Sequence, residues 1–172
     1  MDRQQAGPPE GCAPLTETSG AVEATVGRPA PDFHLSDQHG QQVERAALLG
    51  RPAVLVFFPY AFSGICSSEL TELDTLRTEL PDTRVLGISV DTMFALRTFS
   101  DQLGLGFELL SDFWPHGAVA ARYGVFDAER GCAIRGTFVL DAAGTLVWLE
   151  RVEIGRRRDL GQLRTVIAGT AR

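Results

Sequence analysis

The chain has 172 residues, enough for one well-packed domain and too few for two. Its composition, 44% hydrophobic and 22% charged, is typical of a globular protein, and its net charge of −6 argues against general binding to nucleic acids or anionic membranes. No stretch approaches the roughly 20 apolar residues of a membrane span, and the amino-terminal segment lacks the apolar core of a signal peptide, so we expect a cytoplasmic protein.

The amino-terminal part of the chain divides into a tail and the start of a folded domain. Residues 1–24 are rich in Gly, Pro, Thr and Glu and have no apolar periodicity, which predicts a mobile tail followed by one domain over residues 25–172. A short hairpin is expected around residues 37–40. Residues 53–58 form a continuous apolar run, which is typical of a central strand buried on both faces.

The rest of the chain alternates helical and strand patterns. Leucines recur at helical spacing from Cys66 until Pro81, a residue type that ends helices. The remaining predicted elements are, in order, a strand at 84–90, a helix at 92–103, a strand at 107–110, a helix that begins at Pro115 and continues over 117–123, a hairpin of strands 135–140 and 145–152, and a helix at 158–168. Strands alternating with helices predict an α/β fold of three layers.

Cys66 is the residue that points most directly to a chemistry. The predicted strand at 53–58 stops at Pro59, a hydroxyl follows at Ser63, and the helical pattern opens at Cys66. A helix N-terminus carries a partial positive charge and unpaired N–H groups, so this thiol should ionise more readily than that of a free cysteine. The placement favours a thiolate nucleophile over the alternative, a small buried hydrophobic residue.

The surroundings of Cys66 resemble the active site of peroxiredoxins, the cysteine peroxidases. The spacing Pro59-x-x-x-Ser63-x-x-Cys66 is similar to their motif Pro-x-x-x-Thr/Ser-x-x-Cys. The residues of this segment are similar to those of the one-cysteine subgroup called AhpE-type. Three further segments fit the family: 26–33 (VGRPAPDF), which resembles its opening strand, 110–117 (LSDFWPHG) and 135–139 (RGTFV). Over residues 26–152 the resemblance implies a thioredoxin-like fold with extra amino-terminal strands, its central mixed sheet flanked by helices.

The resemblance also implies roles for individual residues. A thiolate at Cys66 would attack the peroxide O–O bond and become a sulfenic acid, with no metal or organic cofactor. Ser63 would accept a hydrogen bond from the peroxide besides capping the helix, and Pro59 would shield the sulfur from water besides ending the strand. Arg135 would stabilise the thiolate and orient the peroxide. Glu69, which by position alone is a favourable charge near the helix start, would steer an arginine.

The residues alone leave other interpretations open. The chain contains no Lys, so an arginine at position 135 could equally be a solvated edge residue. The three arginines at 156–158 predict a solvated loop. His116 suggests a Cys–His hydrolase, for which the sequence offers no third orienting group. The thiol could also serve a peroxide sensor or thiol-relay protein that passes its oxidation to a partner, and the domain could be a binding module without catalysis.

A sulfenic acid at the active cysteine must be reduced before it is oxidised further. Thr71 stands where one peroxiredoxin subgroup carries a resolving cysteine, and Cys132 would face away from Arg135 if both lay on one strand. Cys12 lies on the predicted tail and could reach Cys66 of either subunit. We therefore predict a one-cysteine mechanism with an external thiol or a glutaredoxin- or thioredoxin-like protein as reductant, and the resemblance implies a small thiol such as mycothiol.

The resemblance further implies a homodimer. Members of the family commonly form dimers, and the aromatic residues Phe62, Phe113 and Trp114 are candidates for an interface at the edge of the site. The expected partners are thus a hydroperoxide, a thiol reductant and a second copy of the chain, and not nucleic acid or membrane.

Overall fold

The computed structural model describes residues 23–170. Most of the predicted tail, including Cys12, lies outside this range. The last two residues assigned to the tail are part of the folded domain, because Ala24 is buried in the apolar core and the Glu23 carboxylate lies 3.1 Å from the Arg151 guanidinium.

One mixed sheet organises the domain. The elements are, in chain order, β1 (His34–Asp37), β2 (Gln42–Glu44), a 3₁₀ helix (Arg45–Leu48), β3 (Ala53–Phe57), α1 (Gly64–Glu79), β4 (Arg84–Ser89), α2 (Met93–Leu103), β5 (Glu108–Ser111), α3 (Ala118–Arg122), β6 (Phe126–Asp127), β7 (Cys132–Ala133), β8 (Arg135–Leu140), β9 (Leu146–Val152) and α4 (Leu160–Thr170). The sheet has the order β2-β1-β5-β4-β3-β8-β9, in which β4 runs parallel to β3 and β5 and the other pairs are antiparallel. None of the helices within residues 23–170 has the length and apolar character needed to cross a membrane.

The two faces of β3 belong to two apolar clusters. Leu55 and Phe57 pack on the face that carries α3, and Val54 and Val56 pack on the face that carries α1, α2 and α4. All four side chains are fully buried, and burying each stabilises the fold by about 1.5–3 kcal/mol. The predicted α/β fold of three layers around a mixed sheet is therefore confirmed.

The predicted opening strand at 26–33 is wrong. In this segment Pro29 forms an isolated bridge to Thr145, and regular strand structure begins only at His34. The reason is the two prolines at positions 29 and 31, because proline has no N–H to donate to a strand ladder.

The helix predicted to begin at Pro115 begins three residues later, at Ala118. Gly117 is its N-cap and has a φ of 69°, a conformation that glycine adopts without steric cost. The carboxylate of the buried Asp112 accepts hydrogen bonds from the N–H groups of Val119 (3.0 Å) and Ala120 (2.8 Å). This carboxylate satisfies the free donors of the helix start, so α3 begins where Asp112 can reach it.

Candidate active site

Cys66 is the third residue of α1, and its side chain is fully buried. Ser63 is the N-cap of this helix. Its hydroxyl oxygen accepts a hydrogen bond from the Cys66 N–H at 3.4 Å, and its carbonyl oxygen accepts one from the Ser67 N–H at 2.9 Å. The thiol therefore lies at the positive end of a capped helix, where a negative charge is favoured.

Pro59 is buried in the loop that connects β3 with α1. The preceding residue, Phe58, still donates its N–H to the Ile88 carbonyl at 3.0 Å, which extends the pairing with β4 by one residue. Proline has no N–H to continue that pairing, so the strand ends here.

Arg135 brings a cation to the sulfur from the neighbouring strand. It is the first residue of β8, which pairs antiparallel with β3 so that Gly136 lies opposite Phe57 at the carboxyl end of β3. The guanidinium is buried at 2% exposure, and its Nη2 donates to Cys66 Sγ at 3.4 Å. Its Nη1 donates to the carbonyl oxygen of Ile154. The alternative of a solvated edge arginine is excluded by this burial.

Glu69 holds the guanidinium of Arg135 in place. It lies three residues after Cys66, on the same side of α1, and it is buried at 1% exposure. Its Oε2 accepts a hydrogen bond from Arg135 Nε at 3.0 Å, and its Oε1 accepts one from the backbone N–H of Arg158 at 2.9 Å. Glu69 is therefore a buried charge near the start of α1, and it makes the contact with an arginine that the resemblance implies.

Arg158 is the site residue that sequence reasoning missed. Its side chain is 1% exposed, Nε donates to the Thr137 hydroxyl at 3.0 Å, and the two Nη atoms donate to Glu69 Oε2 and to the Phe57 carbonyl. Burial lowers the pKa of Arg158, and the Glu69 carboxylate opposes that shift; a guanidinium nevertheless keeps its charge in proteins. The predicted solvated loop at 156–158 is correct for the exposed Arg156 and wrong for Arg158.

These groups carry charges that balance when the thiol is ionised. The two guanidinium groups and the carboxylate of Glu69 sum to one positive charge beside a neutral Cys66. An uncompensated buried charge is costly, and one negative charge at the sulfur would leave the cluster without net charge. Glu150 is a half-buried carboxyl group near Arg158, and burial raises its pKa.

Comparison with known proteins decides the family. The model of the AhpC/TSA family matches residues 26–149. The chain belongs to this family, the peroxiredoxins. Alkyl hydroperoxide reductase E of Mycobacterium tuberculosis is 46% identical over 140 residues, which cover 78% of this chain and 90% of that protein. Peroxiredoxin-2 of Bos taurus is 32% identical over 151 residues, which cover 80% of this chain and 75% of that one.

Solved structures of peroxiredoxins share the fold. AhpC of Enterococcus faecalis superposes with a TM-score of 0.79 at 22% identity, over 85% of this chain and 92% of that one. Peroxidoxin BcpB of M. tuberculosis superposes with a TM-score of 0.76 at 26% identity, over 86% and 98%. These findings confirm the predicted thioredoxin-like fold and the predicted activity class: the chain is a thiol-dependent peroxidase that acts on hydroperoxide and is reduced by a thiol.

His116 and Cys132, which the sequence also suggested as functional residues of this peroxiredoxin, make their contacts outside the cluster around Cys66. His116 Nε2 lies 2.6 Å from the Gly131 carbonyl oxygen, and its ring packs edge-on against Phe126. Cys132 is fully buried on β7, a strand separate from the β8 of Arg135, so the argument from odd spacing on one strand does not apply. Burial raises the pKa of the Cys132 thiol.

Proposed function

We propose that Cys66 is the peroxidatic residue of this peroxidase. Its thiolate attacks one oxygen of the hydroperoxide; the S–O bond forms as the O–O bond breaks, and the sulfur is oxidised to sulfenic acid. The other oxygen takes up a proton and leaves as water or as an alcohol. The observation that carries this assignment is the buried guanidinium of Arg135 at 3.4 Å from Sγ, in a cluster that an ionised Cys66 makes neutral.

We assign roles to the surrounding side chains from the donors and lone pairs that remain after the contacts described above. Arg135 presents a planar set of donors that can contact both the sulfur and a peroxide oxygen, and it stabilises the charge on the leaving oxygen. The Ser63 hydroxyl already accepts from the Cys66 N–H and retains a second lone pair for the peroxide O–H. Pro59, buried at the start of the loop, shields the sulfur from water.

We propose that the substrates are hydrogen peroxide and organic hydroperoxides, and that an external thiol or redoxin reduces the sulfenic acid. Support for the substrate class comes from the relative named an alkyl hydroperoxide reductase. Support for external reduction comes from Thr71, which replaces a nearby resolving cysteine, and from the separate setting of Cys132. We also propose a cytoplasmic location and a small thiol or a glutaredoxin-like protein as the reductant. Cys12, the alternative resolving residue, lies outside residues 23–170.

We also propose a homodimer through an aromatic patch formed by Phe94, Phe113 and Trp114, which line one surface depression. Phe94 takes the place of the candidate Phe62, whose ring packs against Phe99. The three side chains of the patch are 72%, 49% and 80% exposed, which is unusual for large apolar groups on a surface that faces only water. Trp114→Arg is expected to shift the sedimentation coefficient from dimer to monomer. Leu49→Arg, a change at a residue that is 50% exposed outside the patch, is the control.

The decisive experiment treats fully reduced protein with one equivalent of hydrogen peroxide and measures intact mass with and without a sulfenic-acid trap. A trapped gain of one oxygen on the Cys66 peptide is expected. A loss of two hydrogens would mean a disulfide and would overturn the one-cysteine mechanism. Steady turnover with a small thiol supports the enzyme, whereas a persistent mixed disulfide with a protein would support the thiol relay. Unchanged mass would overturn the role of Cys66.

A further inference from the structure

The active-site loop, residues 58–63, contains a strained backbone position. Phe62 has a φ of 63°, a left-handed conformation that a bulky aromatic residue adopts only when its surroundings impose it. Its ring is half-exposed and packs against Phe99 with ring centroids 5.0 Å apart. The next residue is Ser63, which caps α1, so the conformation of Phe62 determines where the Ser63 hydroxyl and the helix start are placed.

Asp91 holds the residue before this strained position. Its Oδ2 accepts a hydrogen bond from the Ala61 N–H at 2.8 Å. The same oxygen accepts one from the Ser89 hydroxyl at 2.8 Å, and the Ser89 oxygen in turn accepts from the Asp91 N–H at 3.2 Å. The Asp91 carbonyl accepts from the Ser111 hydroxyl at 2.6 Å. Asp91 is therefore fixed to the end of β4 through its carboxylate and to the end of β5 through its carbonyl group.

We propose that Asp91 is a positioning residue for the peroxidase reaction: it anchors Ala61 so that Phe62 keeps its left-handed conformation and Ser63 stays aligned with Cys66. The proposal rests on the assignment of Cys66 and Ser63 made above. Asp91 acts through the backbone and touches neither the sulfur nor the peroxide.

The Asp91 carboxylate supports the part of the site that the active-site loop forms, and not the part that β8 and α1 form. Without the Asp91 carboxylate, the Ala61 N–H loses its partner, and Phe62 is free to relax toward a negative φ. The Ser63 hydroxyl would then leave its position 3.4 Å from the Cys66 N–H. Arg135 and Glu69 lie on β8 and α1 and are held by each other, so the cation beside the sulfur remains.

The test compares rate constants for oxidation of reduced protein by hydrogen peroxide, measured by rapid quench and mass spectrometry. Asp91→Ala is expected to lower the rate constant by about 10- to 100-fold, since a reacting group misplaced by about 1 Å costs on the order of 10²-fold. Asp91→Asn is expected to retain most of the rate, because its amide oxygen can accept both hydrogen bonds. Asp91→Glu, which keeps the charge but displaces the oxygen, should lose rate and serves as a second variant if Asp91→Ala does not fold.

Asp141 provides a matched control. Its carboxylate holds the turn between β8 and β9 by accepting from the N–H groups of Ala143 and Thr145, both at 2.9 Å. Asp141→Ala removes the same kind of loop anchor away from the thiol. It is expected to leave the oxidation rate unchanged, whatever its effect on the melting temperature.

Phe62→Gly separates positioning from a general loss of stability. Glycine adopts a φ of about 60° without strain, so the anchor should matter less in this background, and Asp91→Ala should then cost a small fraction of its effect in the wild type. An equal cost in both backgrounds, or no cost in the wild type, would overturn the positioning role. If wild type and Asp141→Ala are themselves not oxidised at Cys66, the proposed function fails instead.

Discussion

The two cysteines of the described domain are equally buried and differ in what surrounds them. Cys66 and Cys132 are both 0% exposed. The first lies at a helix N-terminus, 3.4 Å from the buried guanidinium of Arg135. The second lies beside the Tyr60 hydroxyl, and the pKa of its thiol is raised by burial, with the Asp127 and Asp91 carboxylates adding to the shift and Tyr60 and Arg130 opposing it. Burial alone favours a neutral thiol. The two buried sulfurs therefore differ in the fixed charges beside them, and the proposed nucleophile is the one in contact with a buried guanidinium.

The largest expected effect separates the two thiols directly. Cys66→Ser should reduce peroxide consumption to the rate of the buffer, because serine does not form a nucleophilic anion at neutral pH. Cys132→Ser should retain the wild-type rate of single-turnover oxidation. Peroxide loss is measured with a thiol present for Cys66→Ser, and in a single turnover of reduced protein without the thiol for Cys132→Ser. Full activity in Cys66→Ser, or none in Cys132→Ser, would reverse the roles given to the two cysteines.

Removing the buried cation beside Cys66 should slow its reaction with peroxide. Arg135→Ala is expected to slow oxidation by hydrogen peroxide about 10²- to 10³-fold, the usual loss when one donor to a developing negative charge is removed. Arg135→Lys keeps the charge without the planar donors and should fall between. Arg164→Ala, which breaks an exposed ion pair with Glu79, is the control and should not change the rate. An unchanged rate in Arg135→Ala would remove this residue from the site.

Replacing the carboxylate that holds the two guanidinium groups is expected to lower the unfolding free energy. Glu69→Gln removes the carboxylate that pairs with both buried guanidinium groups, and losing one partner of a buried pair costs about 3 kcal/mol or more of unfolding free energy. Glu72→Gln, on the same helix, breaks a pair with Arg157 whose side chains are about half exposed, and should cost at most about 1 kcal/mol. Urea denaturation of both variants measures the difference. Equal costs would mean that burial does not set the value of these pairs.

The sequence predicted the parts of the molecule that depend on local pattern. The apolar run at 53–58 becomes the central strand, and the position of Cys66 after Pro59 and Ser63 predicts a capped helix start, because capping and periodicity act over a few residues. The strand predicted at 26–33 rested on the family resemblance. That prediction is wrong because the prolines in this segment cannot donate to a strand ladder.

The polar cluster depends on contacts between distant segments, so the sequence predicted less of it. Only the resemblance to peroxiredoxins predicted that Arg135 belongs to the site. Arg158 was assigned to solvent, because three consecutive arginines indicate a hydrated loop and nothing local shows that the chain after β9 turns back over Glu69. The burial of one arginine in that run is set by the pairing of β8 with β9 and by a carboxylate on α1, which no local pattern encodes.

The smallest expected effect is a pH dependence of stability that comes from Cys132. Burial raises the pKa of this thiol in the native state, so the folded protein binds the proton more tightly than the unfolded chain does. The resulting stabilisation is complete below the ordinary thiol pKa of about 8.5 and is lost as the pH rises from there through the higher native value. Tyr60, whose pKa the neighbouring Cys132 helps to raise to about 12, keeps its proton in the folded state over that range.

Wild type should therefore lose more unfolding free energy than Cys132→Ser between pH 7.5 and about 9.5, the interval that spans the ordinary thiol pKa. Urea titrations at the two pH values measure this, and Cys66 cancels because both proteins contain it. Parallel losses would mean that Cys132 titrates alike in the folded and unfolded chains, and that burial does not protect this thiol from ionisation.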